Sequence, residues 1–429
     1  MPGRFCYRVE IMKLDSDVVV VGAGAVGLCT ALALAEAGRS VKVIDTKGVA
    51  AGASHGNCGT LTPSHAPPLA APGTIMTALR WMFTPDAPLY VHPKMDPRLW
   101  RWLMRFALRC NERDWRRSAQ GKYTLLADSR QRIQDWIAHY QLACEFQESG
   151  QDYVFREAKV FEEEQFEIPL LRELGISVEL VDGAEYERRE PAFKPGLAGA
   201  IRFAGDAMLR PDAYVHELAR VAREKGVQIL GDCALQRVQE ENDHCVLHTS
   251  RGVMRAGEMV LAAGAWSALL GEAVGAPWLR SVIQPGKGYS ITYDAPALVP
   301  STPVILRPCS VCVTAWGSGY RLGSTMEFSG YDDTLNERRL AALERGAAEF
   351  LHQPLGPRVR ERWFGWRPMS LDDMPLIGRI PGRARSWMAA GHGMMGIGMS
   401  AGTGQLLADM MTGREPAVNP APFSPTRFA

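Results

Sequence analysis

At 429 residues the chain exceeds what one hydrophobic core usually serves, so two domains are expected, with room for a large ligand between them. Lys and Arg number 48 against 47 Asp and Glu, a balance that removes the long-range electrostatic case for nucleic acid as a partner. Nine cysteines without the regular spacing of a secreted disulfide framework, no apolar run of about 18 residues and no apolar stretch in residues 1–12 point to a reducing, cytoplasmic setting. Met12 is a second possible start, so residues 1–14 are set aside as an N-terminal extension.

Residues 17–21 form a β-branched run too short for a helix, and it leads directly into Gly22, Ala23, Gly24, Ala25, Val26 and Gly27. The Ala- and Leu-rich segment 28–37 stops at Gly38 and reads as a helix. A second strand, 41–44, then delivers Asp45 and Thr46. Each part has a physical role at a dinucleotide: Gly22 permits the tight turn, Gly24 lets backbone approach a pyrophosphate, and Gly27 lets the helix pack on the sheet. The helix N-terminus offers unpaired N–H groups to phosphates, and Asp45 can accept from ribose hydroxyls.

Residues 97–109 carry interleaved Trp, Leu and Arg, the pattern of a basic amphipathic helix that either covers a domain or docks on a membrane surface. The helical segment 218–226 followed by 226–230 is another α/β step, and 281–293 alternates like a strand. Residues 258–267 read as a buried strand ending in the small-residue turn at Ala263 and Gly264, with Trp266 beyond it. Cys309 and Cys312 have metal-site spacing, but no second pair completes four ligands, and in one strand their sulfurs would face opposite sides. A short strand at 387–390 precedes Gly391, His392, Gly393, Met394, Met395 and Gly396, then a helix entered through Gly402 and Gly404. Such glycine density fits close approach of backbone to a flat or anionic ligand, or a tight helix crossing. The first glycine turn alone does not separate NAD from FAD; these later segments favour FAD.

The stretches VVVVGAGAVGLCTALALAEAG with VKVID, ASHGNCGTLTPSHAPPLAAPG, VLAAGAWS, and WFGWRPMSLDDMPLIGR running into AAGHGMMGIGMSAGTGQLLAD resemble one family. It is the FAD-dependent amine oxidoreductases that include D-amino acid oxidase, glycine oxidase, sarcosine oxidase and bacterial D-amino acid dehydrogenase. The likeness runs from about residue 15 to the end. It is nearest to the D-amino acid dehydrogenase branch, through LAAPG, KGYS and GxRPM; D-hydroxyproline dehydrogenases are similar, and the motifs do not choose between the two. The resemblance implies an α/β fold with a glutathione-reductase-like FAD-binding domain (15–90, 198–275 and 365–429). An interleaved, mostly antiparallel sheet-plus-helix substrate domain takes 91–197 and 276–364.

It further implies that FAD lies along residues 22–27, Asp45 and Thr46, reaches Ser54, Asn57, Cys58 and Gly59, passes Ala263, Gly264 and Trp266, and ends at Arg367 and residues 391–396. His392 is expected at the pyrimidine edge. FAD is expected to be non-covalent, because 359–380 lacks the cysteine through which some sarcosine oxidases attach flavin. Arg367 is the expected carboxylate clamp, a planar guanidinium able to make two parallel hydrogen bonds. Tyr289 is expected as a second carboxylate donor or pocket wall, and His55 and His65 as pocket histidines. Arg307 and Arg321 are held in reserve and expected to be solvated strand residues.

The implied reaction is hydride removal from the α-carbon of a D-amino acid, giving an imine that becomes a 2-oxo acid and ammonia, or a pyrroline when the substrate is cyclic. The partners implied are a small amino or imino acid and a quinone or carrier as electron acceptor, with peripheral contact at the inner membrane face through 97–109. The rivals are a glycine- or sarcosine-type oxidase using oxygen, a non-catalytic flavin subunit of an electron-transfer complex, and an NAD-dependent dehydrogenase. D over L rests on the family likeness alone.

Overall fold

The valine run forms β1 (Ser16–Val21), the glycine turn joins it to α1 (Ala25–Glu36), and the chain returns as β2 (Val41–Ile44). This is seen in a computed structural model that describes residues 14–74, 89–91 and 96–429. The expected N-terminal extension, apart from Leu14, and residues 75–88 of the first expected FAD segment lie outside the described residues. β1 sits between β2 and the strand Gly252–Leu261, parallel to both. Gln228–Leu230 and Ser386–Ala390 extend the parallel layer on either side. Leu376–Arg379 and the antiparallel pair Leu235–Glu240 and Cys245–Thr249 complete eight strands. A parallel strand covered on both faces has no solvent side to make polar, which is why Val18, Val19 and Val20 are all fully buried.

Two further helices stack on α1 in turn, α3 (Ser400–Thr412) directly and α2 (Glu112–Tyr140) against α3. A Cβ on Gly404 would lie 2.5 Å from the Cys29 backbone of α1, and one on Gly402 would lie 2.9 Å from the Ser129 side chain of α2. For these two glycines the tight helix crossing is therefore the reason.

The second sheet has nine strands and is mostly antiparallel. Those that matter to the site are β3 (Gln151–Phe155), β4 (Gln284–Tyr293), β5 (Val304–Arg307), β6 (Val311–Trp316), β7 (Gly319–Phe328) and β8 (Val359–Met369). They run in the order β8, β4, β7, β6, β5, β3, followed by Gly199–Phe203 and Glu179–Asp182. The strand Gly199–Phe203 pairs with β3, and β8 pairs with β4 along its whole length, so both belong to this sheet across the boundaries expected at 198 and 365. Partners distant in sequence decide strand membership, and a single chain pass does not display them.

Cys309 precedes β6 in a turn where Ser310 has φ +54°, so the two cysteines do not share a strand as expected. No metal-holding group of His, Cys, Asp and Glu occurs among the described residues. The basic aromatic segment forms the helix Pro97–Ala107, capped by the Asp96 side chain, which accepts from the Arg98 and Leu99 N–H groups. Leu99 and Trp102 face inward and Trp102 Nε1 donates to Val282 O at 2.9 Å, while Met104 stays 62% exposed. No helix among the described residues is long and apolar enough to cross a membrane.

Candidate active site

The two sheets share one cavity of about 1490 Å³, walled by the glycine turn, the 53–60 loop, β4, the β5–β6 hairpin, β8 and the turn at 392–397. At its nucleotide end the glycines are required by sterics. Gly22 has φ +118°, and a Cβ there would stand 2.4 Å from Ala262 O. A Cβ on Gly27 would stand 1.9 Å from Gly22 O. Gly24 meets only Ser54 Oγ, at 3.3 Å, and opens on the cavity.

Asp45 organises the turn as well as facing it. Its carboxylate accepts from Ala23 N–H at 2.9 Å and from the Lys47 and Gly48 N–H groups at 2.8 Å each, so lone pairs left over are what a ribose would meet. Ser54 accepts from Ala25 N–H at 3.1 Å, which docks the 53–59 loop on the start of α1. In that loop Asn57 Oδ1 accepts from Gly59 N–H at 2.7 Å, while Asn57 and Cys58 line the cavity. Thr46, Ala263, Gly264 and Trp266 carry the wall onward. At the far end Gly391 and Gly393 have φ of +78° and +54°, and 392–396 line the cavity. His392 turns back, its Nε2 3.0 Å from Thr403 Oγ1 of α3; burial pushes it down to about 3, so it is a neutral brace. A tight glycine turn at one end of a continuous cavity and a second glycine turn at the other fit an extended dinucleotide such as FAD.

Arg367 projects from β8 over Gly288 of β4, where a Cβ would lie 2.2 Å from its Nη1. Nη1 donates to Thr325 O at 2.6 Å, and the guanidinium makes no ion pair among the described residues. The Tyr289 hydroxyl donates to Glu327 at 3.1 Å; burial and then that carboxylate push it far above the usual phenol range. Tyr289 is thus a wall whose hydroxyl is already engaged. His65 lines the cavity with Nδ1 2.6 Å from Thr62 Oγ1, and burial, reinforced by Lys122 and Arg307, pushes it down to about 3. His55 does not line the cavity: its Nε2 meets Glu361 at 2.8 Å, which raises its pKa.

Neither reserve arginine is solvated as expected. Arg321 is 1% exposed and donates to the His55 and Asn57 carbonyls at 3.1 and 2.6 Å, tying the 53–59 loop to β7. Arg307 lines the cavity and pairs with Glu164. Long-range neighbours also appear that no local pattern marked. Lys122 and Asp373 form a 2.7 Å ion pair, each 3% exposed, in the cavity wall. Cys58 Sγ lies 2.4 Å from where a Cβ of Gly323 would stand, and Gly323 is the cross-strand partner of Cys312, so the two thiols share one spot. The Cys312 thiol, and then Arg321 and Arg367, hold the Cys58 thiol below its ordinary range against burial.

The parallel nucleotide sheet, the antiparallel sheet across from it and the cavity between define a two-sheet, dinucleotide-dependent oxidoreductase. The family model described as FAD dependent oxidoreductase matches residues 17–410, and the chain belongs to that family. It is 31% identical to a D-amino acid dehydrogenase of Granulibacter bethesdensis over 96% of this chain and 99% of that one. It is 32% identical to the enzyme of that name from Cereibacter sphaeroides, over 96% and 95% respectively. In fold it is similar to glycine oxidase from Geobacillus kaustophilus, with a TM-score of 0.74 at 23% identity over 96% of this chain and 99% of that one. It is likewise similar to L-proline dehydrogenase from P. horikoshii, with a TM-score of 0.72 at 18% identity over 97% and 98%. At such identities the structural likeness speaks for the fold, and FAD follows from the family.

Proposed function

We propose that this FAD-dependent oxidoreductase dehydrogenates the α-carbon of a D-amino acid or cyclic D-imino acid, with Arg367 holding the substrate carboxylate. The observation that carries the reading is the Arg367 guanidinium: it stands in the cavity wall, bonded to one backbone carbonyl and to no carboxylate. A part-buried arginine that lines a cavity without a counter-ion is complementary to an anion that arrives with the substrate. FAD, when bound, supplies the hydride acceptor. The protein's share is to fix the α-carbon: Arg367 sets the carboxylate, Tyr289 bounds the pocket, and His65 as a neutral ring adds no competing charge. The relatives' names support the D configuration. The product is an imine, which hydrolyses to a 2-oxo acid and ammonia when open-chain and leaves as a pyrroline when cyclic.

The FAD unit on this reading comprises the parallel sheet with residues 15–90, 198–275 and 365–429, less Leu89 and Tyr90, whose strand pairs with β7, the strand Gly199–Phe203 and the end of β8. FAD is held without a covalent bond, so acid precipitation should leave the yellow colour in the supernatant. The acceptor is a quinone or carrier, and exposed Met104 and Leu108 are the surface through which the protein would meet a membrane; liposome flotation tests that contact. The central test is anaerobic FAD reduction by a panel of D- and L-amino acids and D-prolines. Reduction by D members, abolished in Arg367→Ala with the fold intact, supports the reading; reduction confined to L members, or near-normal rates in Arg367→Ala, overturns it.

A further inference from the structure

Beyond Arg367 the cavity has a polar lobe built from the β5–β6 hairpin, β3, residues 164–167 and α2. Its two cations are already neutralised: Lys122 by Asp373 at 2.7 Å, and Arg307 by Glu164, with Ser310 Oγ taking a second Arg307 N–H at 3.0 Å. Three cavity-lining groups are left over. Glu167 makes no hydrogen bond or ion pair among the described residues, and neither do the Tyr153 hydroxyl and His65 Nε2. These are one cluster: the His65 and Tyr153 rings lie 5.6 Å apart, Arg307 caps the Tyr153 ring at 5.5 Å, and the Glu167 carboxyl acts electrostatically on both Tyr153 and Arg307.

A ligand cavity is mostly apolar, and a few convergent polar groups without protein partners mark where a polar part of the ligand is held; three such groups line this stretch of wall. We propose that Glu167, Tyr153 and His65 form the subsite for the substrate's side chain or ring, and that they select a neutral hydroxyl there. The hydroxyl donates to Glu167 and accepts from Tyr153. A side-chain ammonium is the rival occupant, because Lys122 and Arg307 are already paired and Glu167 is an acid, and D-lysine against D-norleucine decides for it or against it. An apolar group of the same size suits the lobe less, because it would leave the carboxyl unpaired. The lobe's own chemistry agrees: burial, then Glu164, pushes Glu167 up to about 7, and the Tyr153 and His65 shifts keep both rings uncharged.

The inference rests on the reading of Arg367 as the carboxylate clamp, and it is tested on the FAD-loaded protein with matched pairs. These are 4-hydroxy-D-proline against D-proline, D-threonine against D-valine, and D-lysine against D-norleucine. One hydrogen bond to a group of this kind predicts a preference for the hydroxylated member of about ten- to a hundredfold in kcat/KM. Glu167→Leu should erase that preference through KM, raising it for the hydroxylated member and lowering it for the apolar one, and Glu167→Gln should keep most of the preference. Equal rates within the hydroxyl pairs, or a ratio unmoved by Glu167→Leu, overturns the assignment; so does a Glu167-dependent preference for D-lysine. If no amino acid reduces FAD, the reading of the reaction fails, and the subsite is judged by binding alone. Cyclopentanecarboxylate and its 3-hydroxy derivative are then titrated by calorimetry; tighter binding of the hydroxy acid that Glu167→Leu removes supports the lobe, and equal affinity overturns it.

Discussion

The guanidinium of Arg367 occupies the space that a side chain on Gly288 would fill: a Cβ there would lie 2.2 Å from Nη1 and 2.4 Å from Cζ. The glycine of the KGYS segment, inside β4, is thus the floor on which the arginine is aimed. Gly288→Ala must push the guanidinium aside while leaving its charge in place. The expected result is a fall in kcat/KM of about 10²-fold, since a displacement near 1 Å at the reacting centre has that effect. Unchanged far-UV circular dichroism together with steady-state kinetics checks it; wild-type kcat/KM would remove Gly288 from this role.

Gly27→Ala asks a different question of the nucleotide end. Its Cβ would stand 1.9 Å from Gly22 O, so either the turn opens or α1 moves off the sheet. Either change spoils the backbone that faces the pyrophosphate. The purified variant should carry little FAD, read as the ratio of absorbance at about 450 nm to that at 280 nm. A fully yellow variant would show that the turn tolerates the methyl group.

Buried His392 makes stability depend on pH with a definite sign. Its pKa is about 3 in the folded protein and near 6.5 when unfolded, so the unfolded chain binds the extra proton between those values. Its contribution is therefore whole above about 6.5 and is lost as pH falls toward 3. Glu167 and Asp206, both pushed up to about 7 by burial, work in the opposite direction, so the comparison must be made by variant. His392→Asn should show a shallower fall in melting temperature than the wild type between pH 6.5 and 5; parallel curves would contradict the assignment.

Cys58 should be the most readily alkylated thiol among the described residues. Cys312, Arg321 and Arg367 favour its thiolate, whereas burial pushes Cys29, Cys144 and Cys245 up to about 12. Brief iodoacetamide treatment of FAD-free protein followed by peptide mass mapping tests this. Cys312→Ala should slow the labelling, and label arriving first on a fully buried cysteine would count against the cavity environment described here.

The nucleotide end was legible because its determinants are local. Strand, glycines, helix and Asp45 follow one another within 30 residues, and the steric need for Gly27 arises inside that unit against Gly22 O, although that for Gly22 comes from Ala262 just past a neighbouring strand. The same locality made 391–396 readable as a second turn at the cavity, although Gly402 and Gly404 beyond it serve the packing of α3 on α2 and α1. The chemical end was legible only in part. Arg367 and His65 do face the cavity, whereas His55 faces Glu361, 306 residues away, and the Tyr289 hydroxyl is taken by Glu327, 38 residues away.

By itself, then, the order of residues determined a glycine turn, helix entrance and acid-ended strand suited to a dinucleotide, since turn geometry and helix polarity act over a few neighbours. Which polar groups in the pocket remain free to meet a substrate was decided only by the tertiary structure. A side chain's availability depends on whether a partner from another strand has already taken its hydrogen bonds. Glu167, Lys122 and Cys312 carry no local mark of their positions; they reach the cavity because antiparallel pairing and the packing of α2 bring distant segments to one wall.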